Sequence, residues 1–547
     1  MDAKILLEHS NSLFGARASL LTLWQNIAEN FYPERADFTI ERSLGTELGE
    51  GLATGVPVVL RRDLGDALGS LLRPTNKAWF KTRVDQWDTV STEAKAWLEM
   101  SEDRQRKAMY HRRTGFVRAT KEADHDFATF GQAVIQIRLN QFGNGLIFKC
   151  HHLRDCAWSE NVDGMIDTFY RKWTPEARTL VQLFKKGLHP DVLRMAEKEP
   201  FRKINMLHCV VPNQDDNRNR FPFKSVYLDC MHQDIVEEIP IPIFGYCIPR
   251  WETVSGSQYA YSPSVVVGLP DARTMQEMMI TLLEAGEKAT TPPLLGVQEA
   301  LRSDVNVMAG GITWVDREYD ERLGEVLRPL TIDKSGIPLG MDLWDRATAA
   351  MREAFYADKL SLPPLGGPDM TAYEVGQRVQ EHIRQTMPLF EPVEAEYNAP
   401  MCEMVFDIMM RFGVFGSPML IPEDIRGADI NFQFESPLQD AADKAKAQRY
   451  LEATSLIANA VAADPSVAYI LDNKKAARAA LEASDVPIAW LRTEAEVDKM
   501  AEAQAQQEQA SALLAQMQQG ADVAKTIGIT PSPSGTMGTG PSPVGTV

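Results

Sequence analysis

Residues 357–385, ADKLSLPPLGGPDMTAYEVGQRVQEHIRQ, cannot form one continuous helix. Pro363 and Pro364 remove two amide donors and crowd the preceding turn, and Gly366-Gly367-Pro368 adds a second break before a new helical pattern opens. The loop is apolar at Leu360, Leu362 and Leu365, where a plain solvent loop is polar. Its prolines restrict it, Gly366 and Gly367 supply turns, and Lys359 stands at its base. Beyond it, Thr371 and Glu374 match a capping box: the Thr371 hydroxyl accepts from the Glu374 amide, and the Glu374 carboxylate accepts from the Thr371 amide. The stretch predicts helix, semi-rigid loop, helix.

The helix before the loop is expected over 339–358, with Leu343, Ala347, Ala350, Met351 and Ala354 as its apolar stripe. An earlier helix opens at Leu269, carries Met275, Met278, Met279, Leu282 and Leu283 on one side, and stops at Pro292-Pro293. Residues 294–337 between them read as a compact stretch with short strands in GGITWVD and EVLRPLTID.

Toward the N-terminus, Leu20, Leu23, Trp24, Ile27 and Phe31 recur at helical spacing until Pro33, and LRRDLGDALGSLLRP predicts a second helix. Residues 93–130 read as helical, with Arg104, Arg106, Lys107, Arg112 and Arg113 as a solvated face. Residues 131–255 read as strand-rich: a hairpin turning at Gly143-Asn144-Gly145, strands in MIDTFYRKW, KINMLHCVVP, FKSVYLDC and IPIFGYCIPRW, and one helix near 174–187. After the loop the helical pattern runs to Arg411 through Pro388, Pro392 and Pro400, which predicts a kinked or broken helix. A strand in ADINFQFES follows, then helices from about Leu438, over 472–484 and over 493–519; residues 520–547 have almost nothing to bury and are expected to be disordered. The expected fold class is α+β, mainly helical.

The formal charge is −18. That argues against a protein that grips nucleic acid with clustered Lys and Arg, though not against one that encloses it. No run of about 18 or more apolar residues predicts a membrane span, and MDAKILLEHSNSLFGARASLLTLWQ lacks the features of a signal peptide, so cytoplasmic synthesis is expected. Phosphate-loop, GxSxG, HExxH and GxGxxG patterns are absent. His125, between Asp124 and Asp126, has neither nucleophile nor partner in view and reads as a helix-surface histidine. Of the six cysteines (150, 156, 209, 230, 247, 402), four lie beside or near His151, His152, His208 and His232, but the spacing matches no zinc pattern. They read as reduced, half-buried thiols, with no metal, no cofactor and no enzyme expected.

WQNIAENFYPERADF, LGSLLRPTNKAWFKTRV, FATFGQAVIQIRLN, YAYSPSVVVGLPDARTMQEM, MTAYEVGQRVQE and LFEPVEAEYNAPMCEMVFDIMMRFGVF follow one another along about residues 5–500. Their order and spacing resemble the portal (head-to-tail connector) proteins of T7-like short-tailed bacteriophages. The resemblance implies a ring, usually of twelve copies, at one capsid vertex of the virion, with double-stranded DNA packaged and ejected through its channel without sequence readout. It implies a wing (1–268), a first stem helix (269–293), a clip (294–337), a second stem helix (338–358), a channel or tunnel loop (359–370), a long kinked wing helix with a return strand (371–437), crown helices (438–519) and a disordered tail (520–547). The clip would meet the terminase large subunit, which is the packaging ATPase, and later the tail adaptor. Capsid, scaffolding and internal core proteins are further implied partners, with assembly in the host cytoplasm and no membrane.

On this resemblance Lys359, Leu360, Ser361, Leu362, Pro363, Pro364, Leu365, Gly366 and Gly367 form the channel loop, capped beyond by Thr371 and Glu374. Met275, Met278, Leu282, Leu343, Ala347 and Met351 form the stem stripe. A stiff polyanion slides best where fixed positive charge is scarce, so net acidity suits a conduit better than a clamp. Two other readings compete: a soluble metal-dependent enzyme with a Cys/His site in 150–232, and another structural capsid or tail protein.

Overall fold

The computed structural model describes residues 2–296 except 76, 86, 88–89, 185 and 215–219, then 301, 314, 327–329, 336–360, 392–434, 447–458, 471–487 except 485, and 490–526. The chain divides into two compact units, the first holding residues 1–85, 98–421 and 428–445, the second 86–97, 422–427 and 446–547. The described residues are mainly helical, with four small antiparallel sheets.

The first unit opens with helices α1 (Ala3–Ala16), α2 (Ala18–Phe31) and α3 (Val56–Leu72), then strand β1 (Phe80–Val84). Trp24, Ile27 and Phe31 of α2 are fully buried, as their spacing predicts. The single helix expected over 93–130 is two, α4 (Thr92–Met109) and α5 (Phe116–Phe130). Between them the Thr114 carbonyl accepts from the Phe148 amide at 2.8 Å, and Gly115 takes φ +70°. A tertiary hydrogen bond thus takes a carbonyl that a continuous helix would use. α5 ends at Gly131, φ +79°, where a Cβ would lie 2.6 Å from the Tyr261 carbonyl carbon, so only glycine fits.

Strands β2 (Ile135–Leu139) and β3 (Leu146–Cys150) form the expected hairpin. β4 (Cys156–Glu160), β5 (Ile166–Trp173), β6 (Met206–Pro212), β7 (Phe223–Asp229) and β8 (Asp234–Ile241) make a five-stranded antiparallel meander, while β9 (Tyr246–Cys247) adds to β2. Of IPIFGYCIPRW, therefore, only Ile241 and Tyr246–Cys247 are strand. The helix expected near 174–187 is the shorter α6 (Ala177–Leu183), and a further short helix that was not expected, α7 (Pro190–Lys198), follows it. Alternation along β6 divides the sheet's two cores. Leu207, Cys209 and Val211 pack with Leu6 of α1, whereas Met206 packs with Leu180 of α6, Val192 of α7 and Val236.

A π-helical turn, Ser264–Gly268, leads into α8 (Leu269–Thr290), which ends three residues short of the expected 293. β10 (Leu294–Gly296) and β11 (Leu327–Pro329) pair antiparallel; GGITWVD lies outside the described residues except for Trp314. α9 (Gly336–Ala354) and the short α10 (Ala357–Leu360) follow. A second π-helical turn, Glu394–Asn398, precedes α11 (Ala399–Arg411), which holds Pro400 in its first turn, where proline is tolerated. β12 (Ile430–Phe434) pairs with β1 across nearly 350 residues of sequence.

In the second unit, α12 (Asn473–Ala483) is N-capped by Asp472, and Arg478 donates to Thr92 Oγ1 (2.8 Å) and the Arg492 carbonyl (2.7 Å). α13 (Glu494–Thr526) runs seven residues into the tail expected to be disordered from 520. Ala521, Ala524 and Lys525 favour helix there, and the first proline of the tail is Pro531.

Candidate functional site

α8 and α9 form an antiparallel hairpin: Gly268, just before α8, lies against Phe355, just after α9, and Leu282 lies against Gly340 near the start of α9. A Cβ on Gly340 would stand 2.7 Å from Leu282 Cδ2, so this glycine lets the helices approach. The base of the hairpin is core. Leu269, Ala272, Met275 and Gln276 are buried, as are Met351 and Phe355. Gln276 is held like a strand residue: Oε1 accepts from the amides of Ala53 (2.7 Å) and Thr54 (2.9 Å), and Nε2 donates to the Thr54 carbonyl (3.0 Å).

Beyond Gln276, α8 continues for 14 residues, about 20 Å at helical rise. None of its side chains there is buried in a single copy. Leu283 is 56% exposed and Ile280 46%, and on α9 Leu339 is 61%, Met341 59% and Leu343 47% exposed. The predicted stem residues therefore fall into three environments. Met275 and Met351 are core, Met278, Leu282 and Ala347 are half-buried, and Leu343 is exposed. The two helices carry seven carboxylates against four basic groups.

The segment expected to form the channel loop follows a strained joint. Tyr356, between α9 and α10, takes φ +57°, a conformation rare outside glycine. Its ring stacks near Trp251 (6.5 Å) and lies 5.5 Å beneath the exposed Lys359 ammonium, while Arg352 pairs with Asp358 at 2.8 Å. Lys359 and Leu360 are the last residues of α10. Ser361, Leu362, Pro363, Pro364, Leu365, Gly366, Gly367, Thr371 and Glu374 lie outside the described residues.

The Asp124-His125-Asp126 motif is not on a surface. All three side chains are buried on α5, and each meets an arginine. Arg73 donates to Asp124 and, at 2.8 Å, to Asn398 Oδ1, with its guanidinium 4.5 Å from the Tyr397 ring centroid. Arg61 donates to the Phe31 carbonyl (3.0 Å) and meets His125 Nδ1 at 3.1 Å. Arg35 grips Asp126 with two bonds, 3.1 and 2.7 Å. Burial and the Arg61 charge hold His125 below its usual pKa, so it stays neutral and accepts from Arg61. Two glycines one turn apart on α3 make room: a Cβ on Gly65 would fall 2.4 Å from His125 Nδ1, and one on Gly69 3.1 Å from Asp124 Oδ2. Nothing in the spacing of the arginines announces this arrangement, but the i, i+4 glycines of GDALG were a readable sign of close helix packing.

Of the cysteines, five are buried rather than half-buried; Cys230 alone is intermediate. Burial pushes the Cys156 and Cys247 thiols up to about 12, far from the thiolate a metal needs. His151 meets Gln136 Oε1 (3.2 Å), and His208 meets the Tyr246 hydroxyl (2.8 Å) and Ser225 Oγ (2.9 Å). Burial lowers these histidines to about 2 and about 3. His152 meets Asp37 at 2.5 Å. Among the described residues only His232 of this set enters a possible metal-ligand group, with His189 and Asp191.

A family model described as "Bacteriophage head to tail connecting protein" matches residues 4–492. The probable portal protein of Bordetella phage BPP-1 is 24% identical over 547 aligned residues, covering 96% of this chain and 95% of that one. The portal protein of Salmonella phage epsilon15 is 22% identical, with 96% and 95% covered. Among solved structures, a chain of the virion of a native gene transfer agent particle aligns with TM-score 0.33 and 12% identity, covering 78% of this chain and 90% of that one. A chain from the neck of an empty particle of this kind aligns with TM-score 0.35 and 11% identity, covering 78% and 89%. The family model spans nearly the whole chain, through the helices and sheets described above, and this chain belongs to the family of bacteriophage head to tail connecting proteins.

Proposed function

We propose that this chain works as a phage portal. Copies assemble into a ring at one vertex of the virion, and double-stranded DNA enters and leaves the capsid through its channel. The observation that carries this reading is the α8–α9 hairpin, whose base is locked into the core while its outer part keeps Ile280, Leu283, Leu339, Met341 and Leu343 in water in a single copy. An exposed apolar row of this kind is stabilised by covering it, and identical hairpins from neighbouring copies supply a matching surface. The excess of carboxylates on the same helices leaves little for a phosphate backbone to adhere to.

On this reading α8 and α9 are the stem, residues 294–337 are the clip that meets the packaging ATPase and then the tail adaptor, and residues 359–370 line the channel. Capsid, scaffolding and internal core proteins surround the ring, which assembles in the host cytoplasm. Electron microscopy of the purified protein, viewed down the particle axis, is the direct test: rings with a channel wide enough for duplex DNA are expected. A stable monomer near 61.1 kDa under assembly conditions would overturn the proposal. Replacing 360–368 by a short Gly-Ser linker is expected to spare the ring and impair DNA packaging or retention; unchanged packaging and retention would remove the loop's role.

A further inference from the structure

We propose that His189, Asp191 and His232 form a zinc site that staples helix α7 to the turn between β7 and β8. Asp191 Oδ2 lies 3.6 Å from His189 Nδ1 and 3.7 Å from His232 Nε2, and the three donor atoms lie within 4.8 Å of one another. Ligand atoms about 2.0–2.2 Å from a tetrahedral zinc stand about 3.4 Å apart, so the group needs to contract by only a few tenths of an ångström along its two shorter edges. Two imidazoles and one carboxylate suit zinc better than magnesium or calcium, which favour all-oxygen sets, and a water fills the fourth position.

The surroundings orient these groups as a metal site requires. His232 Nδ1 donates to Asp229 Oδ2 at 2.7 Å, and Asp229 is held in place by accepting the amide of Met231 at 2.8 Å. That carboxylate is 2% exposed and fixes the tautomer that leaves the Nε2 lone pair facing Asp191. Gln233, at φ +60°, closes the turn that presents His232. Asp191 uses its other oxygen for Arg194 (3.2 Å), which leaves Oδ2 for the ion. The His189 and His232 rings stack with centroids 3.8 Å apart and 13° between planes, so their lone pairs run side by side. His189, the half-buried N-cap of α7, must tilt out of the stack to converge on the ion, and its Nδ1 then exchanges the long 3.3 Å bond it accepts from the Asp191 amide for the metal. The staple would close the rim of the small core in which Val192 of α7 packs with Val236 of β8.

The test uses the full-length protein, stripped with chelator, reloaded with zinc chloride and gel-filtered before elemental analysis and thermal melting. About one tightly held zinc per chain and a higher melting temperature with zinc are expected. His189→Ala and His232→Ala are expected to lose both effects, each melting at the same temperature with and without zinc, and Asp229→Asn to weaken binding about 10–100-fold. Absence of retained zinc in the parent, or equal retention in the two histidine variants, would overturn the proposal. Should those variants fold poorly, cobalt(II) loading of the parent decides: a tetrahedral spectrum without thiolate charge transfer supports the site, and thiolate charge transfer places the metal on a cysteine instead.

Discussion

The core around α5 and the hairpin of α8 and α9 solve opposite problems. Around α5, Asp124, His125 and Asp126 are buried and answered by Arg73, Arg61 and Arg35 of the same chain. Along the outer hairpin, Leu283, Leu339 and Leu343 are left for something else to cover. One region is complete in a single copy; on the proposed portal reading, neighbouring copies complete the other. Charge buried without its partner is costly, so the α5 core tolerates little change. Exposed apolar groups cost the monomer little, so on that reading the hairpin's sequence is constrained through assembly.

The sharpest way to break this contrast is Asp124→Ala. It leaves Arg73 buried with, among the described residues, Asn398 as its remaining polar side-chain partner, and a loss of about 3–5 kcal/mol is expected, read as collapse of the melting transition or of soluble yield. Next come the buried histidines. His208 and His151 have folded pKa values of about 3 and about 2, below the unfolded value, so the unfolded chain takes up protons first as pH falls below about 6.5. Their stability contribution is full above that pH and declines below it, by up to about 2 kcal/mol per histidine by pH 5. Melting temperatures from pH 7 to 5 are expected to fall less steeply in His208→Gln than in the parent.

Paired glycine substitutions compare the regions directly. Gly65→Ala drives a methyl into the His125 ring, which Arg61 holds, and is expected to cost about 1–3 kcal/mol. Gly340→Ala meets only the far end of the half-buried Leu282 side chain, and helix propensity offsets the contact by up to about 1 kcal/mol, so little change in melting is expected. Equal losses at the two sites would erase the distinction. The smallest effect on the isolated chain is expected for Leu283→Glu with Leu339→Glu, within about 0.5 kcal/mol. Light scattering is nonetheless expected to show that ring assembly is lost.

Much of this was readable in advance. The spacing in α2, the hairpin of β2 and β3, and the proline-bounded helix from Leu269 all follow from local periodicity and turn chemistry. The misses share one cause. β1 finds its partner β12 nearly 350 residues away, and its five residues, FKTRV, carry no local turn signal. The break between α4 and α5 depends on a hydrogen bond to Phe148. His125 looked like a surface residue because the arginine that meets it lies 64 positions earlier.

The sequence by itself determined where helices must stop, that the fold is α+β and mainly helical, and which family the chain resembles, because prolines, glycines and apolar periods act within a few residues. Only the tertiary structure decided which arginine answers which acid, that Met275 and Met351 belong to the core while Leu343 stays in water, and that His189 comes to lie against His232. Those outcomes depend on contacts between segments far apart in the chain, whose distances and burial no local pattern encodes.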